Sequence, residues 1–420
     1  MGIWDEIPRP QASGSPLACA FRIRLKLLAA CVTNARFGND SRPADFMQNQ
    51  KPDVRNHALD GVRAIAACLI VVFHLGLSKY ATDLTNTRHQ NFGSFLNGLG
   101  SSGVELFFTL SAVVLLRPYL RSGRPMATNQ YLRRRIQRLW PPFVGAWVLA
   151  GATVALIGAF PTWWNSSMPS FAWTDWGSQL FIVYVGSRAY NFAWWTLTVE
   201  IIFYLLAPLL VVTLAKRSAK FVLVALVVTA LVSQTAVLID STRPWLAIVS
   251  RFLAYASCFM GGVLLAKQDI GIRGRLGFGL LGLVIIGLHS VGSDANVHIG
   301  YGLLYMSLVS EALVVGSAVN RALSHPNLVW LGERSYSLFL THYSVIALAC
   351  WATAHVILSK GMLFYAVSRS IAIISAMVVA CVLFELVESR FARALVTVGQ
   401  WWPGRRHQGQ RASGAPGHHP

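Results

Sequence analysis

The segment LDGVRAIAACLIVVFHLG contains two side chains suited to phosphate binding and acid–base chemistry. Arg63 and His74 are eleven residues apart. On a helix they project from one face, about 20° apart in angle and about 16 Å apart along the axis. A guanidinium suits a phosphate group, and a neutral imidazole can take a proton from a hydroxyl. The alternative is a snorkelling arginine and a hydrogen-bonded histidine that only packs.

A second basic group, RRRIQRLWPP, lies further along the chain. Within it Arg135 and Arg138 are three residues apart, so on a helix they are neighbours. Two guanidinium forks side by side suit phosphate oxygens. The alternative is that the run only keeps this loop on the cytoplasmic side of a membrane, which needs no ligand.

Five apolar segments each contain an ionisable residue at a similar predicted depth. They are His74, Glu105, Glu200, Arg251 and Arg369. Ionisable side chains inside a membrane are costly and are functional candidates by default. Five of them from five segments therefore predict a polar cavity. His342, in SYSLFLTHYSV, is predicted to lie in the inner half of its span, away from this group.

The elements that carry these residues are predicted to be membrane-spanning helices. Charged residues make up 13% of the 420-residue chain and hydrophobic residues 54%, and the mean hydropathy is +0.50. Soluble domains contain about 25% charged residues, so this chain has too few to cover so much apolar surface. The sequence therefore predicts an all-α integral membrane protein.

About ten apolar stretches are long enough to cross a bilayer, which takes about 20 residues. They lie near residues 58–80, 98–116, 139–160, 195–214, 220–239, 247–266, 275–291, 301–319, 336–357 and 363–386. A further apolar piece, Gly177–Gly186, is too short to cross comfortably and is predicted to be re-entrant or interfacial.

The basic residues predict how these spans are oriented. Residues 117–138 contain seven arginines and no acid, and cytoplasmic loops collect Lys and Arg. If this loop is cytoplasmic, the alternating direction of successive spans makes three other loops cytoplasmic, residues 215–220, 267–274 and 320–335. Both termini are then cytoplasmic as well. Inner loops and tails then account for the net charge of +19, and nucleic acid is not an expected partner.

The predicted membrane domain covers residues 56–390. Residues 1–55 are polar and are predicted to form a disordered or membrane-surface tail, and residues 391–420 a basic, disordered tail. The six cysteines include no CxxC pair, and four of them lie within apolar stretches. Neither a disulfide framework nor a metal site is therefore predicted.

Five motifs, in the same order, resemble those of the membrane acyltransferase-3 family, the bacterial surface-glycan O-acyltransferases. The first span resembles the family's R-x10-H signature, and GVELFFTLSAVVLL resembles GVDLFFVLSGFLL. RRRIQRLWP, WWTLTVEIIFYLLAP and SYSLFLTHYSV resemble RRxxRxxP, WSLxxExxFYxxxP and SYxLYLxH. Glu105 replaces the family's Asp and keeps its charge. Ala112 replaces a Gly and changes how closely helices approach near Ser111.

The resemblance implies an O-acyltransferase of the bacterial inner (cytoplasmic) membrane. Its co-substrate would be cytoplasmic acyl-CoA, with acetyl as the expected group and no permanently bound cofactor. Its acceptor would be a hydroxyl of a glycan or glycoconjugate. The chain ends about 30 residues after the last predicted span, so the stand-alone type without a C-terminal SGNH domain is expected.

The resemblance also implies roles for the basic residues and the imidazole. Arg63, Arg135 and Arg138 would hold the phosphates of CoA. His74 would be the general base that removes the proton of the acceptor hydroxyl. If His74 only packs, His342 is the alternative base, and its inner position would place the transfer on the cytoplasmic side.

The remaining candidates would support the base and the reacting carbonyl. Glu200 or Glu105 would orient His74 and stabilise its imidazolium. Arg251 or Arg369 would stabilise the oxyanion of the tetrahedral intermediate. Ser111, beside these groups in the second motif, is a further candidate.

Two other classes of protein are compatible with this sequence. Charges near the midplane of a ten-helix bundle also suit a transporter or flippase of acyl groups or lipid-linked glycans. The spans show no inverted repeat, which disfavours a transporter. The third class is a membrane sensor without catalysis. The sequence does not predict which acyl group and acceptor are used, nor the oligomeric state.

Overall fold

A computed structural model describes residues 56–76, 98–164, 170–181, 190–235, 239, 244–288, 294–358 and 361–391, and every regular element within these ranges is helical. The predicted all-α class is therefore confirmed. The predicted tail 1–55 lies outside the described residues, as does all of the C-terminal tail except Phe391.

Twelve α-helices follow one another in the described residues. They are α1 His57–His74, α2 Gly103–Ser122, α3 Thr128–Ala159, α4 Trp173–Ser178, α5 Trp195–Leu214, α6 Ala219–Ser233, α7 Pro244–Lys267, α8 Ile272–Gly287, α9 Asp294–Ala312, α10 Ala318–Leu323, α11 Pro326–Val356 and α12 Met362–Leu383. A π-helical segment, Phe384–Glu388, continues α12, and short 3₁₀ turns follow α4 and precede α5.

Seven helices among the described residues are long and apolar enough to cross a membrane. They are His57–His74, Gly98–Ser122, Thr128–Ala159, Phe192–Leu214, Trp245–Lys267, Pro326–Val356 and Met362–Phe391. The chain is thus a multi-pass membrane protein. The other three predicted spans coincide with α6, α8 and α9, of 15, 16 and 19 residues. The count of ten crossings and the side of each terminus stay predictions.

Two helices begin well before the apolar stretches that predicted them. The third predicted span began at residue 139 and the ninth at residue 336, whereas α3 begins at Thr128 and α11 at Pro326. The additional turns contain charged and polar residues mixed with apolar ones, so hydropathy alone does not detect them. At the start of α11, His325 accepts a hydrogen bond from the amide of Asn327, and proline occupies the first turn. Such a start is a common helix signal. The early start of α3 places the basic run on a helix.

The central helices approach each other closely at glycines. A Cβ at Gly332 of α11 would overlap the carbonyl of Asp60 in α1, and one at Gly262 of α7 would overlap the carbonyl of Thr109 in α2. Helix α1 also packs against α2, and α11 against α12. Small residues at such crossings allow backbones to touch, as is common in membrane bundles. The result is a compact group of α1, α2, α7, α11 and α12.

The short helix α4 is fixed to α3 by two tryptophans. Trp147 and Trp176 stack with ring centroids 3.8 Å apart, and each indole N–H donates to the other's carbonyl, at 2.8 and 3.1 Å. The predicted re-entrant piece Gly177–Gly186 begins here, at the end of α4. Its described part ends in a 3₁₀ turn, Gln179–Phe181, and residues 182–186 lie outside the described residues.

Candidate active site

The imidazoles of His74 and His342 are hydrogen-bonded to each other. The His342 Nε2 atom lies 3.2 Å from Nδ1 of His74, and the ring centroids are 4.9 Å apart. Nδ1 of His342 is 2.8 Å from the carbonyl of Phe339 and 3.2 Å from that of Leu338. Nδ1 of His74 is 2.9 Å from the carbonyl of Ile70. His342 is fully buried.

These partners assign the tautomer of each neutral ring. A carbonyl only accepts, so Nδ1 of His342 carries the proton and its Nε2 has a lone pair. Nδ1 of His74 faces two acceptors, Ile70 O and His342 Nε2, and therefore also carries a proton. The lone pair of His74 is then on Nε2. The contacts of both rings thus leave one nitrogen, His74 Nε2, able to accept a proton.

The position of His342 differs from the sequence prediction. It was expected in the inner half of its span, away from His74. Because α11 begins at Pro326, His342 lies sixteen residues into that helix, and His74 lies seventeen residues into α1. Both helices run in the same direction, so the two imidazoles reach the same depth. The histidines are neighbours and not alternative bases at different depths.

Arg63, Arg135 and Arg138 line one cavity. They come from two helices, α1 and α3, and the cavity has a volume of about 60 Å³. Arg63 donates to Asp60 at 3.2 Å, and the guanidinium of Arg135 lies 5.6 Å from the centre of the Tyr131 ring. The other lining residues are Phe107, Leu110, Ser111, Val114, Leu115, Leu139, Glu200, Tyr204, Gly332, Glu333, Ser335, Tyr336 and Glu388. The predicted convergence of these three arginines is present.

Glu200 and Ser111 belong to the wall of the arginine cavity. Ser111 Oγ donates to Oε1 of Glu200 at 3.0 Å, and the hydroxyl of Tyr204 donates to the same oxygen. Two donors on one carboxylate oxygen hold Glu200 in place. The predicted role of Glu200, orienting His74, is filled in this structure by His342 and the carbonyl of Ile70.

A second, apolar cavity lies next to the arginine cavity and close to the histidines. It is lined by Ile70, Val104, Phe107, Phe108, Thr196, Leu197, Glu200, Tyr336 and Phe339. Phe107, Glu200 and Tyr336 line both cavities. At the other end, Ile70 and Phe339 supply the carbonyls that His74 and His342 contact. A polar cavity with three arginines therefore adjoins an apolar one, and two residues that line the apolar cavity bond to the histidine pair through their backbone carbonyls.

Glu105 lies apart from the histidine pair. Its Oε1 is 2.6 Å from Nδ1 of His298 on α9, and Tyr255 packs against the His298 ring with centroids 4.3 Å apart. The predicted role of Glu105 beside His74 is thus not supported by its contacts, because its bonded imidazole is His298. Sequence reasoning missed His298, since the nearby predicted span began at residue 301 while α9 begins at Asp294.

The two candidate oxyanion arginines lie in different places. Nε of Arg369 donates to the carbonyl of Leu75 at 2.7 Å, the residue that follows His74. Its Nη1 donates to Cys350 Sγ at 3.0 Å. Arg251 lies over the ring of Trp195, 5.3 Å from its centre. Arg369 is therefore the one of the two that the structure brings next to the histidine pair.

A second residue missed from the sequence is Glu388. It ends the π-helical segment that continues α12, accepts a hydrogen bond from Ser337 Oγ at 2.7 Å, and lines the arginine cavity. Its neighbour Glu385 instead pairs with Arg334 at the surface, at 2.7 Å. A π turn changes which face of a helix points inward, and periodicity alone does not signal it.

Comparison with known proteins identifies the family of this chain. The acyltransferase domain of the acyltransferase-3 family matches residues 56–386, and the chain belongs to this family. No solved structure matches the chain.

Two of its relatives are the proteins named O-acetyltransferase OatA of Staphylococcus aureus strains NCTC 8325 / PS 47 and COL. Each is 24% identical over 329 residues, which cover 69% of this chain and 50% of the relative. A putative O-acetyltransferase of strain COL is also 24% identical, over 335 residues with the same coverage. This chain therefore spans about half the length of these relatives.

Proposed function

We propose that the protein is a membrane-bound O-acyltransferase. It moves an acyl group, in the first instance acetyl, from cytoplasmic acyl-CoA to a hydroxyl of a glycan or glycoconjugate, and it resides in the bacterial inner membrane. One observation supports this above all others: three arginines line a cavity, and the apolar cavity next to it is lined by Ile70 and Phe339, whose carbonyls contact a pair of histidines. The names of the relatives support acetyl as the group and oxygen as its acceptor.

The arginine cavity is the proposed site for the CoA phosphates. Guanidinium groups bind phosphate oxygens in pairs of parallel hydrogen bonds, and Arg63, Arg135 and Arg138 present three of them. At about 60 Å³ the cavity holds a few water molecules, so the surrounding side chains must separate when the donor enters. The apolar cavity beyond it suits the thioester end of the pantetheine arm.

His74 is the proposed general base. Its Nε2 takes the proton of the acceptor hydroxyl as the hydroxyl oxygen attacks the thioester carbon. The tetrahedral intermediate then collapses, the carbon–sulfur bond breaks, and the thiolate takes the proton back from the imidazolium to give free CoA. His342 is a positioning residue, because it contacts the ring of His74 and not the reacting atoms. Arg369, beside Leu75, is the proposed donor to the oxyanion.

The test is glycan-dependent release of CoA. Purified protein in nanodiscs, given acetyl-CoA and a panel of soluble oligosaccharides, is expected to release CoA and to form an acetylated sugar. General bases contribute about 10²- to 10⁴-fold, so His74→Gln should lower kcat by at least about 100-fold while acetyl-CoA still binds. The matched control is His355→Gln, an exposed histidine of α11 bonded to the carbonyl of Trp351.

The same assay separates the transferase from the other two classes. A transporter would move labelled acyl groups or lipid-linked glycan across a proteoliposome membrane without releasing CoA. A sensor would do neither. Either result with well-folded wild-type protein would contradict the proposal. If the His74→Gln protein releases CoA at the wild-type rate, His74 is not the general base.

A further inference from the structure

A carboxylate–imidazole pair lies outside the proposed donor path and the histidine pair. Glu105 of α2 and His298 of α9 are 2.6 Å apart, and Tyr255 of α7 packs on the imidazole. Three helices thus converge on it. Glu105 is 2% exposed, yet its Oε2 atom has no hydrogen-bond partner within the described residues. Buried polar atoms in proteins are nearly always hydrogen-bonded, so a buried carboxylate oxygen without a partner points to a ligand that donates to it.

The open atoms of this pair define the chemistry of a ligand. Nδ1 of His298 faces a carboxylate oxygen, so it carries the proton, and in the neutral ring Nε2 has the lone pair. Nε2 of His298 and Oε2 of Glu105 are then both acceptors. A ligand that satisfies both has to donate two hydrogen bonds from adjacent positions. Neighbouring hydroxyls on a sugar ring do this, whereas a phosphate or carboxylate does not.

The surroundings of the pair leave its imidazole partly exposed. The side chain of His298 is 24% exposed, so the imidazole is reachable, whereas the carboxylate behind it is enclosed and the side chains around it must separate when a ligand enters. The Tyr255 ring lies against the imidazole, with the centroids 4.3 Å apart, and packs it in place. Phe108 contacts the Tyr255 ring with centroids 5.3 Å apart and also lines the apolar cavity. Two aromatic side chains, Tyr255 and Phe108, therefore lie between the His298 ring and the apolar cavity.

The pair lies at the end of the helices opposite to the basic loops. Glu105 is in the first turn of α2 and His298 in the second turn of α9. The far end of α9 carries the Arg275–Glu311 ion pair, and the far end of α2 carries Arg121, which bonds Asp269. On the predicted orientation the arginine-rich ends are cytoplasmic. The Glu105–His298 pair is then on the outer side, where a surface glycan is found.

From this geometry we propose that Glu105 and His298 form a sugar-binding subsite for the acceptor glycan. It holds two neighbouring hydroxyls of a sugar unit adjacent to the one that is acylated. The proposal rests on the proposed function for the identity of the ligand as acceptor. It deepens that function by assigning the acceptor to the α2–α7–α9 face of the bundle, while the donor lies against α1 and α3.

The experiment measures sugar binding without any acyl-CoA present. Saturation-transfer NMR with wild-type protein in nanodiscs and a panel of soluble oligosaccharides is expected to detect at least one binder. His298→Ala should weaken that binding by at least about tenfold, the effect of losing one hydrogen-bonding group from a partly buried site. His298→Gln, whose amide oxygen can replace Nε2 as acceptor, should bind more tightly than His298→Ala. His355→Ala is the matched control and should bind as wild type.

A kinetic arm separates binding from chemistry. In the CoA-release assay His298→Ala should raise the KM for the acceptor and leave kcat and the KM for acetyl-CoA near wild type. A lower kcat with an unchanged acceptor KM would overturn the proposal, and so would unchanged sugar binding by a folded His298→Ala protein. Failure of every sugar to bind wild type would overturn it as well. A third outcome separates the two proposals. If the wild-type protein binds sugar but releases no CoA, and His298→Ala loses the sugar binding, the proposed transferase is contradicted and the proposed subsite is retained.

Discussion

The imidazole of His74 has its orientation set by a second imidazole and a backbone carbonyl. In hydrolytic triads a carboxylate holds the base and stabilises its charged form. Here the described partners of His74 are neutral, His342 and the carbonyl of Ile70. The base is thus oriented without a buried negative charge. This suits an apolar site, where an isolated ion is costly.

The first prediction at the residue scale concerns His342. His342→Gln keeps an acceptor near the position of Nε2 and should retain more activity than His342→Leu, which keeps the volume but not the hydrogen bond. Both should lower kcat and leave the KM for acetyl-CoA near wild type, because the donor cavity is elsewhere. Steady-state CoA release measures both constants. Equal activity of the two variants, each correctly folded, would mean that His342 only fills space.

The second residue-scale prediction concerns the donor cavity. Arg135→Ala or Arg138→Ala should raise the KM for acetyl-CoA by about tenfold or more, since a hydrogen bond to a charged group contributes about 1.5–3 kcal/mol. Arg133 and Arg134 lie on the same helix and are exposed, and neither lines the cavity. Arg133→Ala and Arg134→Ala are therefore matched controls for the loss of positive charge. An equal rise in KM for all four variants would mean that these arginines only keep the loop on the cytoplasmic side and do not bind the donor.

At the scale of elements, two helix crossings bring backbones into contact. The contact between α2 and α7 depends on Gly262, where a Cβ would overlap the carbonyl of Thr109 and lie 2.6 Å from the Cβ of Ala112. Ala112 is the residue that differs from the family motif. Helices α2 and α7 therefore still approach closely near Ser111, because Gly262 of α7 takes the place of the glycine that α2 lacks.

We predict that Gly262→Ala destabilises the protein, because overpacking a tight crossing costs about 1–3 kcal/mol. The control is Gly277→Ala on α8, where a Cβ would meet nothing within 4 Å. Alanine is the better helix former by about 1 kcal/mol, so Gly277→Ala should be neutral or stabilising. Thermal unfolding in one detergent compares the two. A similar melting temperature for both variants would show that the α2–α7 crossing adapts without cost.

At the scale of the whole molecule, the chain is predicted to present its donor cavity to the cytoplasm and its Glu105–His298 pair to the outside. The predicted orientation rests on the basic loops. Gly271, between α7 and α8, and Gly361, at the start of α12, have no neighbours within 4 Å of an added Cβ. They are on opposite sides in the ten-span arrangement and can each be replaced without a clash.

Labelling of single cysteines tests this orientation. With a membrane-impermeant maleimide on intact spheroplasts, Gly361→Cys should react and Gly271→Cys should react only after permeabilisation. The wild-type chain measures the background from its own cysteines. If Gly271→Cys is labelled in intact spheroplasts, the loops after Gly177–Gly186 lie on the sides opposite to those predicted. Gly177–Gly186 is then a membrane-crossing segment.

The sequence by itself was sufficient for the class of fold, because the shortage of charge and the long apolar stretches leave only a helical membrane protein. It also predicted that Arg63 and His74 share one face of a helix, since that follows from helical periodicity within one segment. The family motifs were identified from residue types in order, which needs no tertiary information. The later match over residues 56–386 agrees with them.

Tertiary structure alone decided which polar groups meet. Depth estimated from hydropathy separated His342 from His74, because hydropathy alone does not detect the mixed first turns of α11. It also grouped Glu105 with His74. The depth of a residue in the membrane also does not determine which neighbouring helix packs against its side chain. Packing through Gly262 and Gly332 sets which helix faces meet. Packing between helices brings His342 to His74, Glu200 to Ser111 and Glu105 to His298. These contacts join helices far apart in the chain, and no local pattern in the sequence encodes them.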